Sequence, residues 1–192
     1  NIYGVDIDAQ AVEVTKLSLL LKVLEGENQE TLKKQLKMWH ERALPDLGRN
    51  IKCGNSLIGP DYFSGQLLPD DDEMRRVNPF DWNAEFPEIM KAGGFDAVIG
   101  NPPYGYMIPQ PQQEYFSHHY RYQDYQKDLY LLFLERYEHF LVNDGLLGVI
   151  VSNTWLQSVT LRKIRQYLTT RYSWLRILLL PDKVFRAVVD TH

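Results

Sequence analysis

A short apolar segment that stops at two prolines constrains the fold of this chain most strongly. Residues 95–99 have the pattern of a buried strand, and Asn101-Pro102-Pro103-Tyr104 follows directly after Gly100. Each proline fixes φ and lacks a backbone N–H, so the strand cannot continue through them. In open α/β sheets, ligands bind at the carboxyl ends of the strands. The segment predicts a binding turn at such an edge, although a turn whose tyrosine only covers the core explains these residues equally well.

The turn combines hydrogen-bond acceptors with a flat ring. The acceptors are the amide oxygen of Asn101 and the carbonyl oxygen of Pro102, and the ring belongs to Tyr104. This combination suits a planar group that carries an exocyclic amine.

Strands and helices alternate along the rest of the chain, without the short turns that join hairpins. Strands are predicted at 2–7, 50–53, 95–99, 146–151 and 175–180, and helices after Asp8 and at 86–92, 128–141 and 161–170. This order predicts an α/β fold with a Rossmann-like, doubly wound and mostly parallel sheet. Residues 59–85 are expected to form a surface excursion outside the core. The tyrosine-rich loop 105–127 is expected to be either a lid or an ordered surface segment.

Composition limits the classes of protein to consider. A length of 192 residues fits one domain, and a formal net charge of −4 argues against binding polyanions by bulk charge. The single cysteine, Cys53, excludes an internal disulfide and favours a reducing, cytoplasmic location. No apolar stretch is long enough to cross a membrane. Adjacent residues point apart, so His118-His119 is interpreted as part of a loop, and no metal site is expected.

The ends of three predicted strands each carry a short polar side chain, namely Asp6, Asn55 and Asn101. In a Rossmann-like sheet such ends cluster, so these side chains are expected to line one crevice. An acid in the position of Asp6 holds ribose hydroxyls in nucleotide-binding folds. For Asp6 alone, a strand-end turn or a helix cap remains open, and Asp8 could fill the same role.

Several segments occur together in a characteristic order. They are 2–8, Cys53-Gly54-Asn55-Ser56-Leu57-Ile58-Gly59, 95–105, Asp128-Leu129-Tyr130 and 145–155. The series resembles the catalytic domain of DNA adenine-N6 amino-methyltransferases of the gamma class. These belong to restriction–modification and phage-defence systems, including the type IIG enzymes that fuse restriction and methylation. The resemblance covers nearly the whole of residues 1–192, which it implies to be a partial class I methyltransferase domain.

The resemblance implies a role for each matching residue on the side of the cofactor, S-adenosylmethionine. Asp6 would bind the ribose and Ile7 would pack on the adenine ring. Asn55 would contact the adenine amine, and the neighbouring Ser56 belongs to the same predicted site.

On the substrate side, the resemblance implies double-stranded DNA with a flipped adenine, which loop 105–127 would contact if it is a lid. Asn101 and Pro102 would accept both hydrogens of the target amine, and Tyr104 would stack on the base. Pro103 and Phe185 are further candidates for contact with that base, although a Val-Phe pair such as the one at Phe185 is more often part of a core.

The family's first motif, a Gly-rich turn that cradles the methionine moiety, is not found within these residues. The chain starts without Met in a strand-like segment and ends in another, so it is expected to be a fragment of a longer protein. A sheet without its first strand is expected to leave the S-adenosylmethionine site incomplete and the fragment alone inactive. Unpaired strand edges would also permit self-association.

Two alternatives remain open. Asn-Pro-Pro-Tyr is shared with enzymes that methylate RNA or protein glutamine, so an amino-methyltransferase of that kind is the second hypothesis. A non-catalytic DNA-binding or assembly subunit that keeps the fold is the third, although nothing structural requires Asn101, Pro102 and Tyr104 to occur together.

Overall fold

A computed structural model describes residues 2–24, 47–65, 68, 70–105, 107–122 and 128–181. The chain divides into two compact units, Asn1–Glu85 and Phe86–His192. Each unit contains a pair of parallel strands together with helices, so the α/β class predicted from the sequence is confirmed.

The first unit is built on strands β1 (Gly4–Asp6) and β2 (Ile51–Cys53), which pair in parallel. Helix α1 (Ala9–Leu24) follows β1, and its first turn is fixed by the Asp8 carboxylate, which accepts the N–H of Gln10 at 2.8 Å. Both predicted strands and the predicted helix after Asp8 are therefore present.

Two further helices of this unit lie in the segment that was expected to be a surface excursion. They are α2 (Asp71–Val77) and α3 (Trp82–Glu85). Phe63, Val77 and Phe80 are buried, so residues 59–85 contribute apolar side chains to the core of this unit. The acidic residues that suggested a surface segment lie mainly at the start of α2, where Asp70 caps the helix by accepting the N–H of Asp72.

The second unit is built on strands β3 (Phe95–Gly100) and β4 (Leu141–Val149), which also pair in parallel. Its helices are α4 (Pro87–Lys91), α5 (Gln110–His119), α6 (Leu129–Arg136), α7 (Thr154–Gln157) and α8 (Arg162–Arg171). One face of the sheet packs on α6 and α8, and the buried cluster there consists of Tyr130, Leu131, Leu134, Trp155, Leu161, Ile164, Tyr167 and Leu168. The other face carries exposed apolar side chains, including Ile99 and Leu146.

Strand β4 is longer than the sequence indicated. The sequence predicts a strand at 146–151, but β4 begins at Leu141, runs through Asn143-Asp144-Gly145 and contains an irregularity there. Phe95 pairs with Leu141, whereas Ala97 pairs with Leu146, so extra residues bulge from β4. The turn-forming residues are therefore used within the strand, and Asp144 takes a positive φ of 62°.

Two other expectations about secondary structure are corrected. The predicted loop 105–127 contains the ten-residue helix α5, which buries Phe116. The strand predicted at 175–180 is absent, because 172–181 has no regular structure and its leucines stay exposed. An apolar run becomes a strand only when it pairs with a neighbour, which the described residues do not provide here.

Among the described residues, no helix has the length and apolar character required to cross a membrane.

Glu138 joins the end of α8 to the residues that follow α6. Its carboxylate accepts hydrogen bonds from the Arg171 guanidinium and the Tyr167 hydroxyl. Partial burial opposes the charged form, but these hydrogen bonds outweigh it and lower the pKa of Glu138.

Glu138→Gln is expected to weaken the pH dependence of stability on the acidic side. Because the pKa is lower in the folded state, the charged carboxylate stabilises the fold above its ordinary pKa, and this contribution disappears as pH falls through the folded value. Urea unfolding between about pH 7 and pH 3 would measure the difference between the two proteins. The difference should shrink toward the acidic end, and a constant difference would contradict the prediction.

Candidate active site

Two of the four predicted cofactor residues, Asp6 and Asn55, lie at one edge of the sheet of the first unit. Asp6 ends β1 and pairs with Cys53, which ends β2, and Asn55 follows two residues later. Because the strands are parallel, both side chains belong to the carboxyl edge. The N–H of Gly54 donates to the carbonyl oxygen of Asp6 at 2.8 Å, which ties the two strand ends together.

Asp6 has an exposed carboxylate whose conformation is set locally. Its Oδ1 accepts the N–H of Asp8 at 2.8 Å, so one oxygen turns the chain into α1 and Oδ2 remains for other partners. Ile7, directly after it, exposes 54% of its surface. The strand end therefore presents a carboxylate oxygen beside an apolar side chain.

Asn55 lies in a backbone that is held on both sides. Its N–H donates to the carbonyl of Asn78 at 2.6 Å, and its side-chain oxygen accepts the N–H of Leu57 at 3.0 Å. The carbonyl of Ser56 accepts the indole N–H of Trp82 at 3.3 Å. The amide oxygen of Asn55 thus has one acceptor position left for a ligand.

A cavity of about 510 Å³ also lies in the first unit, beside this edge but not on it. Its lining includes Val12 and Lys16 of α1, Cys53 of β2, and Phe80. None of the four predicted cofactor residues lines it. The polar groups suited to a nucleoside therefore lie at the strand ends and not in this cavity.

In the second unit, the Asn101–Tyr104 turn lies at the carboxyl end of β3, as predicted. The carbonyl of Gly100 accepts the N–H of Ile150 at 3.0 Å, which fixes the strand just before the turn. Asn101 and Pro103 are exposed, Pro102 is buried, and Tyr104 exposes 49% of its surface. The turn is therefore anchored by Pro102 while its amide and its ring face outward.

Two contacts support this turn, one at each of its ends. The carboxylate of Asp128 accepts the N–H of Gly105, the residue after Tyr104, at 3.3 Å. The hydroxyl of Tyr137 packs so closely over Gly100 that a Cβ at this position would overlap it. The turn is consequently fixed at both ends, which favours a preorganised site.

The end of β4 lies beside the turn, because β4 pairs with β3. There the Tyr130 hydroxyl, which is buried, contacts Thr154 Oγ1 at 3.1 Å, and Thr154 contacts Ser152 Oγ at 2.9 Å. Burial raises the pKa of Tyr130, so its hydroxyl stays protonated and serves as a hydrogen-bonding group.

The basic residues after Asp144 are partly used by the fold. Arg165 donates to the carbonyl oxygens of Trp155 and Ser158, and Arg171 pairs with Glu138. These two guanidinium groups therefore have structural partners.

The structure therefore brings the predicted residues together in two groups. Asp6, Ile7, Asn55 and Ser56 share the β1–β2 edge of the first unit, and Asn101–Tyr104 share the β3 edge of the second unit. The single crevice predicted for both groups stays a prediction. Phe185 lies outside the described residues.

Sequence reasoning missed the residues that support the turn. Asp128 was noted only as part of Asp-Leu-Tyr, and Tyr137 was not singled out. One signal was present, since a glycine directly before Asn101 indicates a close approach by another side chain.

Comparison with known proteins identifies the family of this chain. A model of the Eco57I restriction-modification methylase family matches residues 1–185. The chain belongs to this family. The resemblance to restriction–modification adenine methyltransferases that the sequence motifs indicated is thereby confirmed at the level of the family.

Individual relatives of this Eco57I-family chain carry consistent names. The type II restriction enzyme and methyltransferase RM.Eco57I of Escherichia coli is 33% identical over 174 residues, which are 88% of this chain and 16% of that protein. A putative type II restriction enzyme and methyltransferase of Methanocaldococcus jannaschii is 30% identical over 138 residues, which are 71% of this chain and 11% of that protein. The adenine-specific methyltransferase PglX of Streptomyces coelicolor is 28% identical over 110 residues, 54% of this chain and 8% of that protein. The chain thus spans less than a fifth of the length of these relatives.

Proposed function

We propose that the full-length protein transfers a methyl group from S-adenosylmethionine to the exocyclic amine of a flipped adenine in double-stranded DNA. The observation that carries this proposal is the Asn101–Tyr104 turn at the carboxyl end of β3, with its exposed amide and exposed ring. Membership in the Eco57I family and similarity to the adenine-specific methyltransferase PglX favour adenine in DNA as the target.

The amine of adenine is a poor nucleophile, because its lone pair is delocalised into the ring. The Asn101 amide oxygen and the Pro102 carbonyl would accept its two N–H groups and favour a pyramidal nitrogen with a free lone pair. Acceptors that are fixed before the reaction need not reorganise as charge develops on the nitrogen. The amine proton is released only after attack, so no general base is required beforehand.

Adenine in a duplex is reached only when it leaves the stack, which costs about a few kcal/mol. The exposed ring of Tyr104 would offset part of this cost, since stacking of a base on an aromatic side chain contributes about 1–3 kcal/mol. Pro103, exposed beside it, would contact the same base, and Phe185 is a second candidate.

S-adenosylmethionine would supply an electrophilic methyl group, and the residues at the β1–β2 edge fit its nucleoside. Asp6 Oδ2 would accept hydrogen bonds from the ribose hydroxyls, and Ile7 would cover one face of the adenine. Asn55 would use its remaining acceptor position for the adenine amine, next to Ser56. A carboxylate and an apolar side chain at the end of a strand are suited to bind the ribose and the base of a nucleoside.

The doubly wound, Rossmann-like sheet is part of the same proposal, with residues 1–192 as one catalytic domain. Its support is that β3 and β4 carry apolar residues on both faces, such as Val98 and Ile99, which is typical of parallel sheets covered by helices on both sides. Cytoplasmic location, proposed from the lone Cys53, fits a partner such as cellular DNA.

The direct test is methyl transfer by the full-length protein. Labelled S-adenosylmethionine would be supplied with duplex DNA, structured RNA or a release factor in parallel, and the modified DNA would be digested to nucleosides for mass spectrometry. We expect label in DNA alone, as N6-methyladenine. Label in RNA or in protein glutamine would instead support the second hypothesis, and DNA binding without any transfer would support a non-catalytic subunit.

A further inference from the structure

Asp128 connects helix α6 to the end of the turn that carries Tyr104. It stands directly before α6, and its Oδ2 accepts the N–H of Gly105 at 3.3 Å. Gly105 has a φ of 71°, a left-handed conformation that glycine adopts without strain. The contact therefore fixes the backbone immediately after Tyr104.

The usual structural reason for an aspartate before a helix does not apply to Asp128. Its side chain makes no capping hydrogen bond to the first turn of α6. Its Oδ1 is buried and has no hydrogen-bond partner among the described residues. A buried oxygen of this kind lowers stability, since it gives up bonds to water without replacement. The Asp128 carboxylate therefore accepts the N–H of Gly105 while its other oxygen lowers the stability of the fold.

We propose that Asp128 is a positioning residue for methyl transfer, which holds the N–H of Gly105 and thereby sets the orientation of the Tyr104 ring against the extruded base. This rests on the proposed function, because that function assigns Tyr104 to the target base. Asp128 touches neither the reacting amine nor the methyl donor. Loss of its hydrogen bond would let the ring drift, and fewer bases would be held in the extruded position.

Glu135 offers a matched control on the same helix. It is 6% exposed, and its two oxygens accept the N–H groups of Arg121 at 2.8 Å and Tyr122 at 3.2 Å. It therefore anchors the far end of the segment that begins at Gly105. A change at Glu135 disturbs the same helix and the same segment, but away from Tyr104.

The experiment uses the full-length protein and duplexes with 2-aminopurine at the target position, once sequencing of methylated DNA has identified that position. Asp128→Ala is expected to reduce the fluorescence rise on DNA binding and to lower kcat/KM for DNA about ten- to hundredfold. Affinity for S-adenosylmethionine, measured by calorimetry, should not change. Glu135→Gln should keep the fluorescence rise of the wild type.

Asp128→Asn keeps a neutral and weaker acceptor for Gly105, so an intermediate fluorescence rise is expected. If Asp128→Ala does not fold, Asp128→Asn still tests the proposed positioning role. Hydrogen exchange provides a second readout, with faster exchange around 101–108 for the Asp128 variants and around 120–122 for Glu135→Gln.

Equal losses of the fluorescence rise in the Asp128 and Glu135 variants would overturn the positioning role, since a general loss of structure would then explain both. A wild-type rise in both Asp128 variants would overturn it as well, while leaving the proposed function in place. If the wild-type protein methylates no DNA, the proposed function itself fails.

Discussion

Asn101→Ala is expected to lower the rate of methyl transfer to DNA by about a hundred- to a thousandfold at saturating substrates, the usual effect of removing one preorganised hydrogen-bonding group. The side chain is exposed at the end of β3, so the substitution should not disturb the core. The Pro102 carbonyl would remain as one acceptor, which is why residual transfer is expected. The measurement is single-turnover transfer of a labelled methyl group by the full-length protein.

Two further variants test whether the loss of activity is specific to the acceptor oxygen at position 101. Asn101→Asp keeps an acceptor oxygen and should retain more activity than Asn101→Ala. Asn143→Ala is the matched control, because Asn143 is also exposed but lies near the opposite, amino-terminal end of the same sheet. DNA affinity should be similar for all four proteins. Transfer by Asn101→Ala at the wild-type rate would remove Asn101 from the catalytic assignment.

Local sequence patterns were sufficient to predict much of the fold. The strands β1, β2 and β3 and the helices α1, α4 and α8 lie close to their predicted positions. Each has a strong local signal, such as the Asp8 cap before α1 or the double proline after β3. Such signals act over a few residues, so they can be read without knowledge of the tertiary structure.

The predictions of secondary structure were wrong where contacts between residues far apart in sequence determine the structure. The run 175–180 is apolar enough for a strand, but a strand also requires a paired edge. Helix α5 lies in a segment rich in tyrosine and glutamine, and it buries Phe116, a contact that the local sequence does not reveal. Asn143-Asp144-Gly145 has turn chemistry that suits both a helix end and a bulge, and only the pairing of β4 with β3 selects the bulge.

The residues of the candidate site also divide into those that the local sequence predicts and those that only the folded structure reveals. Asp6, Asn55 and Asn101 could be found because short polar residues occur at the ends of predicted strands, and each of them lies at or close to the end of a strand in the structure. The groups that support them could not be found in this way, since Asp128 and Tyr137 meet the turn only after the chain has folded.

The contact between Gly100 and Tyr137 leads to the second large effect. Gly100→Ala is expected to destabilise the β3–β4 sheet by about 1–3 kcal/mol, the usual range for overpacking in a core. The new Cβ would overlap the Tyr137 hydroxyl and lie 2.9 Å from its Cζ. Tyr137 is buried and packs on Phe133 at a ring distance of 5.8 Å, so it cannot swing aside easily. Burial also raises its pKa to about 12, so the ring stays neutral and the conflict is steric.

Hydrogen exchange of the β3 and β4 amides in the full-length protein would measure this loss locally, because exchange reports the stability of each region separately. Gly148→Ala is the matched control on the neighbouring strand, where a Cβ would lie 3.7 Å from Ile99 Cγ2 in ordinary contact. Tyr137→Phe removes the overlapping oxygen and should restore part of the lost protection in the Gly100→Ala background, since the close contact with Cζ remains. Methyl transfer should fall and recover together with protection, because displacement of Gly100 moves Asn101 as well. If Gly100→Ala and Gly148→Ala exchanged alike, the close packing of Tyr137 behind the turn would be contradicted.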